Sequence, residues 1–251
     1  MKFFKYLIII TLYFGNTVVF SKTINSTYTV EWKSIQLGEL YWNIALNEDD
    51  YSINFDLKSS GVLGALYTYE SKSIALGKIS RGTLITDIYT STSKNSKRSR
   101  YENIQFNKDG SIQNIDLSKQ LSNDQLKLQN KLISQYINFI DPISLLTNYS
   151  IFKDNSNQMV IDGSNIYKTN FRKLNYQINK EMNPTQYKGN IDVYEITFSS
   201  FYGLHKKNKK NNLKKITLYY LESGEIDFPL EIKIESKKFT ASLYLKSYTA
   251  S

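Results

Sequence analysis

The sequence predicts a mainly β protein, folded as a single large curved antiparallel sheet or incomplete barrel with a central helical insert. Apolar and polar residues alternate with period two in at least ten segments, which is typical of half-buried strands. One stretch, about residues 122–148, changes to a helical period. The 20 Tyr and 13 Phe in 251 residues also favour sheets. Because so many strands cannot stay flat with bare edges, we expect the sheet to curl.

Residues 1–21 have the layout of a secretory signal peptide. Two lysines precede an apolar run from Leu7 to Phe20, which is too short and too interrupted to be a good permanent anchor. The chain has no Cys, so neither a lipoprotein anchor nor a disulfide framework is expected. We therefore predict Sec-type export to the periplasm, cleavage after Ser21, and one β-rich domain over 22–251. A retained anchor and a buried first element of a cytosolic protein are the alternatives.

The first part of the domain is typical of an antiparallel meander. Alternation over residues 27–37 predicts a first strand that ends at Gly38. Two further strands are predicted at 40–46 and 51–57, separated by the acidic turn 47–50. Short connections of this kind join antiparallel neighbours.

The next segment, residues 61–66, lacks period two, and its two glycines favour a bend or a flexible rim. Strand patterns return at 66–76 and 83–92. A hairpin is then predicted where the strand 101–106 runs into Asp109-Gly110, because an Asp-Gly pair is a strong turn signal.

The middle of the chain predicts two helices. Ser122 and Gln125 match a capping box. Asp141 and Pro142 then fit the N-cap and first position of a second helical segment through Leu146. The apolar face predicted for the first helix consists of Leu126, Ile133, Tyr136, Ile137 and Ile140. We expect this insert to cover one end or face of the sheet.

Strand patterns resume after the insert, and no Pro-, Gly- or Ser-rich linker divides the chain. One domain is therefore predicted. The patterns lie at 158–162, 165–173, 174–181, 191–201, 216–221, 229–235 and 239–248.

The formal net charge of +9 is concentrated in the leader and in two basic runs, 94–100 and 205–215. The remainder is mildly acidic, which argues against a nucleic-acid partner. The runs are interpreted as solubilising turns, as contacts with anionic headgroups or lipopolysaccharide, or as contacts with an envelope protein. The residues predicted for an anionic-surface contact are Lys206, Lys207, Lys209, Lys210, Lys214 and Lys215.

Little in the sequence favours catalysis. The one imidazole, His205, borders lysines, and a metal site needs several nitrogen or sulfur ligands. A glycosidase needs two suitably spaced carboxylates, but Asp49-Asp50 is typical of a turn, and Glu31 and Glu39 fit solvent-facing strand positions. We predict a non-enzymatic protein with no catalytic, cofactor or metal residues. A carboxylate-based hydrolase is the lowest-ranked alternative.

A curved sheet encloses an apolar interior that is either hollow or packed solid. The hollow form predicts a protein that binds an apolar or amphipathic ligand, or an envelope lipid. The solid form predicts a structural or interaction protein of the envelope. The residues predicted to line the mouth of a hollow sheet are Trp42, Phe55, Gly61, Leu63, Gly64, Leu66 and Tyr69.

The order of several motifs resembles the exported bacterial proteins of domain of unknown function 3108 (DUF3108). The motifs are residues 28–32 (YTVEW), Gly38, residues 51–53 (YSI), residues 58–61 (KSSG), the strand 98–106 before Asp109-Gly110, Asp141-Pro142, and Pro229. The resemblance implies a Gram-negative periplasmic β protein of unestablished function and supplies no catalytic residues. The architecture is also similar, more loosely, to periplasmic lipoprotein carriers, whose curled sheet and helical lid hold acyl chains.

Overall fold

The computed structural model describes residues 22–61, 64, 68–153, 156–163, 165–181, 188–203, 213–222, 228–237 and 239–251. Within these residues the chain forms one sheet of fourteen strands and two helices. The predicted leader, 1–21, lies outside them. No helix in the described part is long and apolar enough to cross a membrane.

The strands follow one another in chain order with short connections before the helices. Their bounds are β1 Lys22–Trp32, β2 Ile35–Leu46, β3 Asp50–Ser59, β4 Tyr69–Ser80, β5 Thr83–Asn95, β6 Arg98–Phe106, β7 Ile112–Leu117, β8 Phe139–Ile140, β9 Asn157–Ile161, β10 Asn165–Glu181, β11 Lys188–Gly203, β12 Leu213–Leu221, β13 Glu231–Ser236 and β14 Thr240–Ala250. The helices are α1 Asn123–Gln135, between β7 and β8, and α2 Pro142–Ile151, between β8 and β9.

Strand pairing runs in sequence order from β7 back to β1, then through β14 down to β8. All pairs are antiparallel except β8 with β9. The two edges approach each other: Phe139 N–H donates to the Gly110 carbonyl at 2.8 Å. A Cβ on Gly163 would stand 2.9 Å from Leu117. The sheet is therefore a nearly closed barrel, which confirms the predicted mainly β, curved architecture.

Because neighbouring strands are antiparallel, their turns gather at two ends of the barrel. The end that holds the β1–β2, β5–β6 and β13–β14 turns is called the basic end here. Its exposed cations are Lys33, Lys94, Lys97, Arg98, Arg100 and Lys237. The opposite, far end holds the β2–β3, β4–β5 and β6–β7 turns. There Thr23 and Ser251 exchange backbone hydrogen bonds of 2.8 and 3.0 Å.

The predicted end of the first strand, at Gly38, was wrong, because β1 ends at Trp32. The chain turns at Lys33 and Ser34, whose φ angles are 50° and 62°, and residues 35–37 belong to β2. Gly38 lies inside β2, where a Cβ would come within 2.2 Å of the Lys58 carbonyl oxygen. The glycine therefore permits a close approach of β3 and does not form a turn. The two strands predicted at 165–173 and 174–181 are one strand, β10.

Helix α1 begins as predicted, with the Ser122 N–H donating to Gln125 Oε1 at 2.9 Å. Its predicted apolar face was wrong in part, although Ile133 and Tyr136 pack against the core. The helix ends at Gln135, before Tyr136, Ile137 and Ile140, and its buried residues are Gln129 and Leu132. Leu126 and Ile137 are exposed, whereas Ile140 is buried in β8. The apolar residues at spacings of three, four and seven thus belong to three places: helix α1, the connection after it and the short strand β8.

Helix α2 is buried along most of its length and closes the far end of the barrel. Asp141 is its N-cap and Pro142 its first residue, as predicted, but it continues to Ile151, beyond the predicted end at Leu146. Its residues hydrogen-bond to strands on both sides of the barrel. Asn148 Oδ1 accepts from Leu84 N–H at 3.2 Å, and Tyr220 donates to Ser150 Oγ at 3.0 Å. The helix therefore lies in the interior at this end.

Candidate functional site

The predicted mouth residues that the structure describes lie on one wall, from the middle of β2 and β3 to the basic end of β4. Trp42 and Phe55 are paired across β2 and β3, and Tyr69 begins β4, where its N–H donates to Ser59 Oγ at 2.9 Å. Gly61 and Gly64 belong to the β3–β4 connection at the same end. Leu63 and Leu66 lie outside the described residues. Residues distant in sequence are thus brought together on the core-facing side of three adjacent strands.

Trp42 is the most deeply buried of these side chains. Its side chain is only 1% exposed, and its ring lies 4.7 Å from Phe55, 4.5 Å from Phe228 and 6.3 Å from Tyr28 between centroids. Tyr28 donates to the Pro229 carbonyl at 2.9 Å, which fixes the segment that carries Phe228. Among the described residues, none accepts a hydrogen bond from the buried Trp42 Nε1. A buried donor without an acceptor is costly, typically about 1–3 kcal/mol.

The core-facing side of β4 and β5 changes character along its length. Toward the far end it carries the buried Ala75 and Tyr89. Toward the basic end the same alternation places four half-buried serines, which we call the serine strip: Ser71 and Ser73 on β4, with Ser93 and Ser91 opposite them on β5.

The serine strip is bordered by apolar side chains on one flank. Ser73 Oγ donates to Ser91 Oγ at 3.0 Å. Phe55 and Leu57, both half-buried, stand opposite Ser73 and Ser71 across the β3–β4 pairing. The wall is therefore amphipathic. The strip was not predicted, because serines next to Lys72 and Lys94 are typical of solvent-facing positions. The signal available in the sequence was their parity along each strand.

The other flank of the serine strip is charged. On β6, Glu102 and Arg100 lie in register with Ser91 and Ser93. Glu102 is half-buried and Arg100 is exposed. The adjoining β5–β6 turn is fixed by Asn95 Oδ1, which accepts the N–H groups of Lys97 and Arg98 at 2.9 Å each. An anionic group lying on the strip would meet a guanidinium at its outer end.

The predicted lysine contacts separate into two groups. Lys206, Lys207, Lys209 and Lys210 lie outside the described residues, whereas Lys214 and Lys215 begin β12. Lys215 forms ion pairs with Glu195 at 3.2 Å and Glu235 at 3.6 Å. The hydrogen bond to Glu195 raises the pKa of Lys215. Its charge is thus engaged within the sheet.

The most deeply buried acid, Asp141, lies at the far end. Its Oδ1 accepts the N–H groups of Ile143 at 3.0 Å and Ser144 at 2.9 Å, and its Oδ2 accepts the Thr86 hydroxyl at 2.6 Å. Tyr51 donates in turn to Thr86 Oγ1 at 3.1 Å. Burial raises the pKa of Asp141. Since the carboxyl is fully buried, it anchors α2 and offers no access to a substrate.

Two of the four acids considered for a hydrolase pair with cations, and they do so at separate places. Asp50 pairs with Lys78. Glu39 accepts from Lys246 and from Tyr41, each at 2.7 Å, and the hydrogen bond from Lys246 lowers the pKa of Glu39. Within the described residues, no group of three or more His, Cys, Asp or Glu side chains is placed to hold a metal ion. His205 lies outside the described part.

No protein-family model matches the sequence, and no curated protein matches it. Among solved structures, the chain is similar to a β-barrel-like protein of domain of unknown function DUF1849 from Brucella abortus. The TM-score is 0.48 at 9% sequence identity, over 91% of this chain and 98% of that chain. The resemblance to DUF3108 stays a prediction.

Proposed function

We propose that the chain is an exported, non-enzymatic periplasmic protein that binds an amphipathic ligand, such as an envelope lipid, against the wall formed by Trp42, Phe55, Leu57 and the serine strip. The observation that carries this proposal is the change in the core-facing side of β4 and β5, from buried apolar residues to half-buried serines. Export is supported by the leader pattern of residues 1–21.

Four core-facing serines on two paired strands are not expected in a protein whose core is packed solid throughout. Hydroxyl groups that leave water need hydrogen-bond partners, and a dry interior favours aliphatic side chains at such positions. The serines remain half-buried, which is the exposure expected for a wall that meets solvent or a polar ligand group. The far end is different, because α2 fills it.

The lining defines how a ligand would lie. Its apolar part would contact Phe55 and Leu57, above the buried ring of Trp42. Its polar group would face the serine strip, with Arg100 at the outer end. A carboxylate or phosphate matches this arrangement, because guanidinium groups bind such anions with charge-assisted hydrogen bonds. Because Glu102 lies in register with Ser91, the anionic group would stay at the Arg100 end of the strip. The ligand class is therefore an anionic amphiphile.

The solid-core interaction protein is the second candidate, and one observation favours it. The aromatic cluster of Tyr28, Trp42 and Phe228 fills the barrel beneath β1 and β2 with rings 4.5–6.3 Å apart. The two candidates make opposite predictions for ligand uptake.

The test uses Trp32→Phe as the background, so that Trp42 is the one remaining tryptophan. A fatty acid brominated along its chain is titrated below its micelle concentration. We expect saturable quenching of Trp42. Ser91→Phe, which fills the strip, should abolish it, whereas Thr92→Phe, at the exposed neighbouring position on β5, should not.

Native mass spectrometry of the protein purified from its own periplasm is the companion measurement, and a co-purified lipid is the expected result. Absence of both quenching and co-purified lipid would overturn the proposal and favour the solid-core protein.

A further inference from the structure

We propose that the basic end of the barrel docks on an anionic lipid bilayer, with Trp32, Ile35 and Phe239 entering the interface and the surrounding cations contacting lipid phosphates. This surface adjoins the serine strip at Arg100 and extends to the β1–β2 and β13–β14 turns, so the inference goes beyond the proposed ligand site.

Three large apolar side chains are exposed at the basic end. Trp32 is 37% exposed, Ile35 is 48% exposed and Phe239 is 50% exposed. Trp32 and Ile35 are paired across the β1–β2 turn, and Phe239 lies in the β13–β14 turn. These turns are neighbours, because β1 pairs with β14 and Glu31 stands opposite Ser242. The apolar side chains therefore belong to adjacent hairpins at one end.

Two cations lie beside these side chains, and four more lie four strands away at the same end of the barrel. Lys33 Nζ lies 5.1 Å from the centre of the Trp32 ring, and Lys237 is exposed beside the β13–β14 turn. The β5–β6 turn adds Lys94, Lys97, Arg98 and Arg100 at the same end. Within the described part of the chain, none of these six cations is placed in an ion pair. The acids nearest to them are Glu31, Glu70 and Glu102, together with Glu235, which pairs with Lys215, so the six cations outnumber these acids.

The combination of residues favours a bilayer over other occupants. A tryptophan ring with one polar edge prefers the level of lipid headgroups. Each Lys or Arg near an anionic membrane contributes about fivefold to binding. An acidic protein is the alternative occupant, but it offers no boundary between headgroups and hydrocarbon for the tryptophan ring. The occupant is therefore an anionic lipid surface.

The experiment measures sedimentation with vesicles of phosphatidylcholine, with and without phosphatidylglycerol. We expect binding to the phosphatidylglycerol vesicles alone, together with a blue shift of tryptophan fluorescence that Trp32→Phe removes. The buried Trp42 should contribute no shift. Lys97→Gln with Arg98→Gln should weaken binding about 30-fold. The matched control, Arg81→Gln with Lys108→Gln at the far end, should leave it unchanged.

Circular dichroism establishes that each variant is folded. Equal binding to both vesicles, equal loss in both double variants, or binding to acidic proteins but not to vesicles would overturn the inference. Ser91→Phe distinguishes the two sites, because it should abolish uptake of the brominated fatty acid and preserve vesicle binding. Vesicle binding that persists without fatty-acid uptake would reject the proposed function and leave the docking surface intact.

Discussion

Replacing Asp141 by Ala tests how the far end of the barrel is held closed. The substitution removes the acceptor of three hydrogen bonds, from Ile143 N–H, Ser144 N–H and the Thr86 hydroxyl. Loss of an N-cap costs about 1 kcal/mol, and each buried donor left without an acceptor costs about 1–3 kcal/mol. Because the site is fully buried, we expect the free energy of unfolding to fall by about 4 kcal/mol.

Urea denaturation followed by tryptophan fluorescence measures this loss. The matched variant is Asp141→Asn, whose side-chain oxygen still accepts from the two backbone N–H groups of α2. We expect it to lose about 1 kcal/mol. If Asp141→Ala were no less stable than Asp141→Asn, the reasoning that three buried donors depend on this side chain would be refuted.

The same pair of proteins has a pH dependence of defined sign. Burial raises the pKa of Asp141, although hydrogen bonds from Ser144 and Thr86 oppose the shift. When the folded-state pKa is raised, the contribution to stability is present below the unfolded-state pKa of about 4 and is lost as pH rises through the folded-state pKa. Wild type should therefore lose stability relative to Asp141→Asn as pH increases above about 4. A difference constant with pH would contradict this.

Three further substitutions follow from the packing and the surface contacts. Phe228→Ala removes a fully buried ring from Trp42 and should cost about 3–5 kcal/mol, with a changed near-ultraviolet circular dichroism spectrum; an unchanged melting temperature would count against it. Ser34→Gly, at a φ of 62°, should raise the unfolding free energy by up to about 1 kcal/mol in the same denaturation assay, and a loss would show that Ser34 is not strained. Lys246→Met should raise the pKa of Glu39 in an NMR titration, because the Lys246 hydrogen bond lowers it; no change would mean that this ion pair is absent in solution.

Local signals predicted the elements where short-range chemistry decides the backbone. The alternation of apolar residues identified the β meander, and Asp141 followed by Pro142 identified the start of α2. Both depend on neighbours within a few residues. The length of α2 was missed because a helix buried in a barrel needs no polar face, so its sequence lacks a helical period.

Features that depend on distant backbone were misread. Gly38 resembled a turn, but its small size serves the approach of the Lys58 carbonyl. The observed turn at Lys33 and Ser34 has positive φ angles but contains no glycine, so the sequence gives no signal for it. In α1, Gln129 is buried and Leu126 is exposed, because tertiary contacts decide which face of a short helix is covered.

For the candidate site, strand parity explains what the sequence could supply. Trp42 and Phe55 share a side of the sheet through simple alternation, and the meander makes them neighbours. Ser73 and Ser91 have the same parity, but an inward serine is recognised only once the core side is known. Placing Lys33 and Arg98 at one end needs the order of all the strands between them.

The backbone pairing of Thr23 with Ser251 places both of these residues at the far end of the barrel. Nine residue steps along β1, at about 3.4 Å each, separate Thr23 from Trp32 at the basic end by about 31 Å. Lys22 therefore lies at the end of the barrel opposite Trp32. A cleaved leader would let the domain turn freely toward any anionic surface. If the leader were retained in one membrane, the far end would lie nearest that membrane. The basic end would then face a second membrane, and the barrel would span the space between the two.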